Sequence, residues 1–134
     1  MEESFSIVIL NHGDFGKELV RSAELIVGKI DDIYTVSLNS GVSIEDYYAQ
    51  AKEIISKLKG EIILLTDLHG GTPSNVASIL QREFKLMVLC GVNLPMLLEL
   101  VCAKNFDKSL EELIPNVIEM SKKSIFLSEP IVVE

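Results

Sequence analysis

The chain has 134 residues, 48% of them hydrophobic and 6% aromatic, with a formal net charge of −8. That length suits one domain, 1–134, with a sizeable core, and the acidity repels nucleic acid, since Lys122-Lys123 is too small a basic patch to override it. No apolar run approaches the roughly 20 residues of a membrane helix, and Met1-Glu2-Glu3 lacks the basic start of a signal peptide, so a soluble, uncleaved, cytoplasmic protein is expected.

Residues 5–10, FSIVIL, form an apolar run suited to a buried strand. Residues 14–28 follow with helical spacing: Phe15, Leu19, Ala23 and Ile26 fall near one face, and Gly28 is a natural stop. Residues 33–38 read as a second strand. Ser43 can cap a helix running to about residue 58, with Asp46 completing an acidic variant of the capping box and Gly60 ending it. Residues 61–66, EIILLT, make a third strand. Pro73 suits the first turn of a helix to about residue 82, with Thr72 as its cap. Residues 86–89 make a fourth strand, and 94–103 and 109–123 two further helices, Pro115 perturbing the early part of the second. The tail 124–133 is β-prone but broken by Pro130, which suits an edge or terminal strand. Cys90 and Cys102 match no zinc or redox spacing and lie in apolar stretches, so both are expected to be buried, reduced thiols.

Alternating strands and helices imply an α/β fold: one open, mostly parallel twisted sheet with helices on both faces. In such sheets ligands gather beyond the carboxyl ends of the strands. Three loops there carry unusual residues: Asn11-His12-Gly13-Asp14, Asp67-Leu68-His69-Gly70-Gly71-Thr72-Pro73 and Gly91-Val92-Asn93-Leu94-Pro95. In the common strand order 2-1-3-4, the strands before His12 and Asp67 are neighbours at the topological switch point. An imidazole and a carboxylate at those ends can hydrogen-bond. If Asp67 accepts the Nδ1 proton of His12, Nε2 keeps a free lone pair and can attack a phosphorus atom in line. Gly13, Gly71 and Thr72 can surround the phosphate with backbone and hydroxyl donors at helix starts. His69, Asn93 and Pro95 belong to the rim on which a protein partner would dock. No lysine or arginine lies in these loops, which is compatible with a phosphate that must be passed on.

Each residue alone has a blander use. His12 could pack or cap, Asp67 could cap a turn, and Gly70-Gly71-Thr72-Pro73 is ordinary turn chemistry. Metal binding by His12, His69 and Asp67 would need a spacing that is not recognisable here. No nucleophile elbow supports serine hydrolysis, and no Walker or G-x-G-x-x-G motif supports a nucleotide kinase. No metal or cofactor is expected.

Three ordered motifs carry a resemblance. Residues 7–28, IVILNHGDFGKELVRSAELIVG, residues 64–78, LLTDLHGGTPSNVAS, and residues 91–98, GVNLPMLL, resemble the IIA component of mannose-family sugar phosphotransferase systems. The similarity covers about residues 5–123. It implies that His12 takes phosphate on Nε2 from phospho-HPr, that Asp67 holds the other ring nitrogen, and that Thr72 lies near the phosphate. The phosphate would pass to a IIB subunit, and the sugar through membrane IIC and IID subunits. It also implies a homodimer that exchanges an antiparallel C-terminal strand, a role open to 124–133. His69 departs from the large apolar or aromatic residue common in that family. Two alternatives stand beside this reading: the phosphoryl-donor domain of a dihydroxyacetone kinase-type system, and a non-catalytic regulatory domain of the same fold.

Overall fold

The computed structural model describes residues 5–133, so the acidic Met1-Glu2-Glu3 start lies outside the described residues. The elements in chain order are β1 (Ser6–His12), α1 (Phe15–Val27), β2 (Ile33–Leu38), α2 (Ile44–Ser56), β3 (Ile62–Thr66), α3 (Thr72–Glu83), β4 (Met87–Cys90), α4 (Leu94–Ala103) and α5 (Leu110–Lys123). The strands form one all-parallel sheet in the order β2-β1-β3-β4. No described helix is long and apolar enough to cross a membrane.

The period-2 geometry of strands divides the central residues between two cores. Ile7, Ile9, Ile63 and Leu65 pack with α1, α4 and α5 on one face. Val8, Leu10, Ile62 and Leu64 pack with α2 and α3 on the other. Coverage of both faces explains why β1 and β3 read as unbroken apolar runs rather than alternating ones. On the second face Tyr47 is fully buried, and its hydroxyl donates to the Val36 carbonyl at 2.6 Å. Burial pushes this phenol well above its ordinary pKa, so it remains a neutral donor.

Several local expectations are corrected. On α1 the buried positions are Gly16 and Ala23, with Leu19 and Val20 partly buried against the same core, whereas Phe15 and Ile26 are exposed. The glycine lets the helix lie close on β1 and rotates the inward face toward it. Helix α2 stops at Ser56, before Gly60, because Lys57 and Leu58 bond back three residues to Ile54 and Ile55 and tighten the last turn. Its cap is half of the expected box: Ser43 Oγ accepts from the Asp46 N–H at 3.0 Å, an arrangement typically worth about 1 kcal/mol. Helix α5 runs unbroken through Pro115, whose ring is exposed.

The thiols are not buried. Cys90 closes the edge strand β4 at the rim of the sheet, and Cys102 lies away from the buried residues of α4, which are Met96, Leu97, Leu100 and Ala103. The antiparallel C-terminal strand is also absent among the described residues. The segment 125–133 is in no strand, and Ile125, Phe126, Leu127, Ile131, Val132 and Val133 stand in solvent. Strand propensity alone does not hold a segment extended; it needs a neighbouring edge to pair with, and in this single chain the tail meets none.

Candidate active site

The chemistry-bearing residues meet at the carboxyl edge, between β1 and β3. Leu10 is in register with Thr66, so the two strands deliver Asn11-His12 and Asp67 to the same level. Helix α1 then leaves toward one face and α3 toward the other, which opens the crevice at the switch point. His12 is the last residue of β1 rather than a loop residue. Its backbone N–H points along the hydrogen-bonding direction of the sheet, but β3 has ended, and the Asp67 carboxylate takes the place of the next carbonyl.

Asp67 Oδ2 accepts from that N–H at 2.8 Å and contacts His12 Nδ1 at 2.8 Å. The second oxygen, Oδ1, accepts from the Leu68 N–H at 3.0 Å. Both carboxylate oxygens are thus held, and the side chain is only 11% exposed. An ionised carboxylate can only accept, so in the neutral ring Nδ1 carries the proton and Nε2 the lone pair. The His12 side chain is 47% exposed, which leaves Nε2 open to a partner. This arrangement can support nucleophilic attack: Nε2 forms the new bond, and the charge that develops on the ring lies 2.8 Å from a carboxylate oxygen.

Gly71 lies flat against the imidazole. A Cβ there would sit 3.0 Å from His12 Cε1 and 3.4 Å from Nε2. The absent side chain clears the path to the nucleophile. Gly71→Ala should therefore slow attack by Nε2 on an electrophile by about tenfold, because a small displacement of an attacking atom is costly. A time course of modification of the His12 ring, with the thermal midpoint as a folding control, measures it. Gly71, not Thr72, is the N-cap of α3, with Thr72 and Pro73 inside the first turn.

Helices α1 and α3, which flank the ring, both begin without a side-chain cap. By contrast α2, α4 and α5 are capped by Ser43, Asn93 and Ser109. Uncapped helix starts leave N–H groups free to face an anion. Gly13 does not add its own N–H, because that group donates to the Leu38 carbonyl at 2.9 Å; its φ of +58° instead turns the chain from strand to helix. Thr72 is half-buried in the first turn of α3. On the rim, His69 is exposed, with Nδ1 3.9 Å from Cys90 Sγ. Asn93 spends its side-chain oxygen on the Met96 N–H at 2.9 Å, and Pro95 is exposed beside it.

Two features were not singled out from the sequence. Phe15, next to the first site loop, and Leu68, within the second, expose large apolar side chains; their place after a strand end was the available signal. Asn11 is fully buried with Oδ1 unpartnered among the described residues. Leaving such an oxygen dry costs roughly 1–3 kcal/mol. A polar residue closing an apolar strand was visible, but its burial was not.

The fold is an open parallel α/β sheet whose switch point holds a half-exposed imidazole bonded to a carboxylate. The family model described as PTS system fructose IIA component matches residues 6–118, and the chain belongs to that family. It is 32% identical over 127 residues to the PTS system mannose-specific EIIAB component of Escherichia coli, which covers 91% of this chain. This chain spans only 39% of that protein's length. It is 33% identical over 124 residues to the PTS system fructose-specific EIIA component of Bacillus subtilis, 89% of this chain and 83% of that one. The solved EIIA structure from Streptococcus agalactiae superimposes with a TM-score of 0.85 at 34% identity, covering 91% of this chain and 95% of that chain.

Proposed function

We propose that this chain is a phosphoryl carrier of a sugar phosphotransferase system, loaded on Nε2 of His12 by phospho-HPr and unloaded to a IIB subunit. The observation that carries this reading is the 2.8 Å contact between His12 Nδ1 and Asp67 Oδ2 beneath an exposed ring. In the loading step Nε2 forms a bond to phosphorus while the P–N bond to the donor histidine breaks, and the donor imidazole leaves with that electron pair. The phosphoryl group then faces the uncapped starts of α1 and α3, with Gly71 and Thr72 beside it. The absence of lysine or arginine from the three loops keeps the group transferable, and such transfer needs little beyond positioning and charge stabilisation. His69, Asn93, Pro95, Phe15 and Leu68 would meet the partners. The partners are cytoplasmic proteins, and this chain would act there with them, the membrane IIC and IID subunits being reached only through IIB.

Incubation with enzyme I, HPr and phosphoenolpyruvate, followed by mass spectrometry, tests the reading. One phosphoryl group on His12 is expected. No uptake, or label on His69 with His12 silent, would reject it.

The exposed apolar tail supports a homodimer in which residues 125–133 of each copy pair with the other's sheet. A dimer mass in solution is expected, falling to a monomer when 125–133 are removed. A full chain that sediments as a monomer at micromolar concentration would exclude this arrangement.

A further inference from the structure

We infer that Asn11 is a positioning residue for His12: its buried amide clasps the His12 and Gly13 carbonyls and so locks the backbone that carries the nucleophile. Its kinetic consequence, though not its structural one, rests on the carrier function proposed above.

Asn11 faces the same side of β1 as Ile7 and Ile9, toward α1, and is fully buried. An aliphatic residue would suit that place better for folding alone. Nδ2 donates to the His12 carbonyl at 3.1 Å and to the Gly13 carbonyl at 3.0 Å. Two acceptors fix the orientation of the amide, because the flipped form would set Oδ1 against both carbonyl oxygens. Oδ1 is thereby turned away and has no partner among the described residues. It is turned toward α1, where residue 16 has no side chain. A Cβ on Gly16 would lie 2.3 Å from Oδ1, 3.0 Å from Asn11 Cγ and 3.2 Å from Ile9 Cγ2. Two positions are thus committed to seating one amide that leaves an oxygen unpaired.

The clasp completes a set of restraints on one residue. The His12 N–H is held by Asp67 Oδ2, its carbonyl by Asn11 Nδ2, and its ring by Asp67 again. The next residue is pinned through the Gly13 N–H to Leu38 and the Gly13 carbonyl to Asn11. With both peptide groups fixed, the imidazole has only its two side-chain torsions, and the Nδ1 bond sets those. Loss of the clasp frees the His12–Gly13 turn and lets the ring leave the carboxylate.

Asn11→Val keeps strand propensity and removes the unpaired oxygen, so it separates positioning from folding. Loss of the unpaired oxygen offsets the freeing of the two carbonyls, so the thermal midpoint should change little. In the unphosphorylated variant, 15N NMR should show His12 moving from a single Nδ1–H tautomer to a mixture. The transfer rate at saturating phospho-HPr should fall about tenfold, with KM changed less than about twofold. Gly16→Ala, which pushes the amide out with Asn11 still present, should give the same NMR change, and it reads the effect should Asn11→Val not fold. The two substitutions together should be no worse than Asn11→Val alone. An unchanged His12 tautomer in both single variants, or rate losses that multiply in the double variant, overturns the inference. If the wild-type chain takes no phosphate while the NMR changes occur as stated, the carrier function fails and the positioning role stands.

Discussion

His12→Ala is expected to abolish labelling by phospho-HPr while leaving the fold intact. The side chain is 47% exposed at the end of β1, so its removal opens no cavity in the core. Only Asp67 Oδ2 loses a bond, and it still accepts from the backbone N–H of residue 12. No other group is placed to substitute. The second histidine, His69, has its Nδ1 beside Cys90 Sγ at 3.9 Å, and no hydrogen bond to a carboxylate is found for it among the described residues. Without such a partner its tautomer is not fixed, and the charge that phosphorylation would place on it is not offset. Single-turnover labelling followed by mass spectrometry of the intact chain should therefore show no phosphoryl gain, with an unchanged circular dichroism spectrum. Residual labelling on His69 at a rate near that of the unaltered chain would show that the nucleophile has been misassigned.

Asp67→Ala is expected to lower the transfer rate by roughly 10²–10³-fold, the range for losing one preorganised electrostatic partner. In the proposed transfer the carboxylate would serve twice through one oxygen: holding the Nδ1 proton and balancing the positive charge of the ring in transit. Removal leaves the His12 N–H, its Nδ1–H and the Leu68 N–H without their acceptor. Water at this rim replaces part of the three bonds, so stability should fall by roughly 1–3 kcal/mol. Asp67→Asn retains an acceptor oxygen for His12 but loses the charge, and its amide N–H groups would oppose the Leu68 N–H. It should recover part of the orientation and little of the rate. Rates at saturating donor, compared with thermal midpoints, measure both effects. A stability loss large enough to account for the rate loss would make Asp67 a structural residue instead.

Much of the scaffold was legible because its signals are local. The runs before His12 and Asp67 are apolar without alternation, as strands covered on both faces must be. Gly28 was read as the stop of α1 and is its C-cap, since a positive φ costs glycine little. Alternation of strands and helices implies the open α/β sheet, and β2-β1-β3-β4 is a common order for such sheets; with that order comes the expectation that positions 12 and 67 are neighbours. Other features were misread where the deciding neighbour is distant in the chain. The inward face of α1 is set by Gly16 against Asn11 and Ile9, not by Phe15 and Ile26. At residue 71, the N-cap of α3, a side chain would meet a ring that arrives from β1. The solvent exposure of Cys90 follows from β4 being an edge strand.

The amino-acid sequence by itself determined the periodicity, the turns and the placing of one histidine and one aspartate at the ends of the first and third strands. These depend on residues within a few positions of each other, and hydrophobic patterning expresses them directly. Only the tertiary structure decided that a single carboxylate oxygen meets both the backbone and the ring of His12, that Gly71 must lack a side chain, and that Asn11 is sealed inside. The first two turn on differences of a few tenths of an ångström between segments more than fifty residues apart. Close packing sets such distances across the sheet, and no local pattern encodes them.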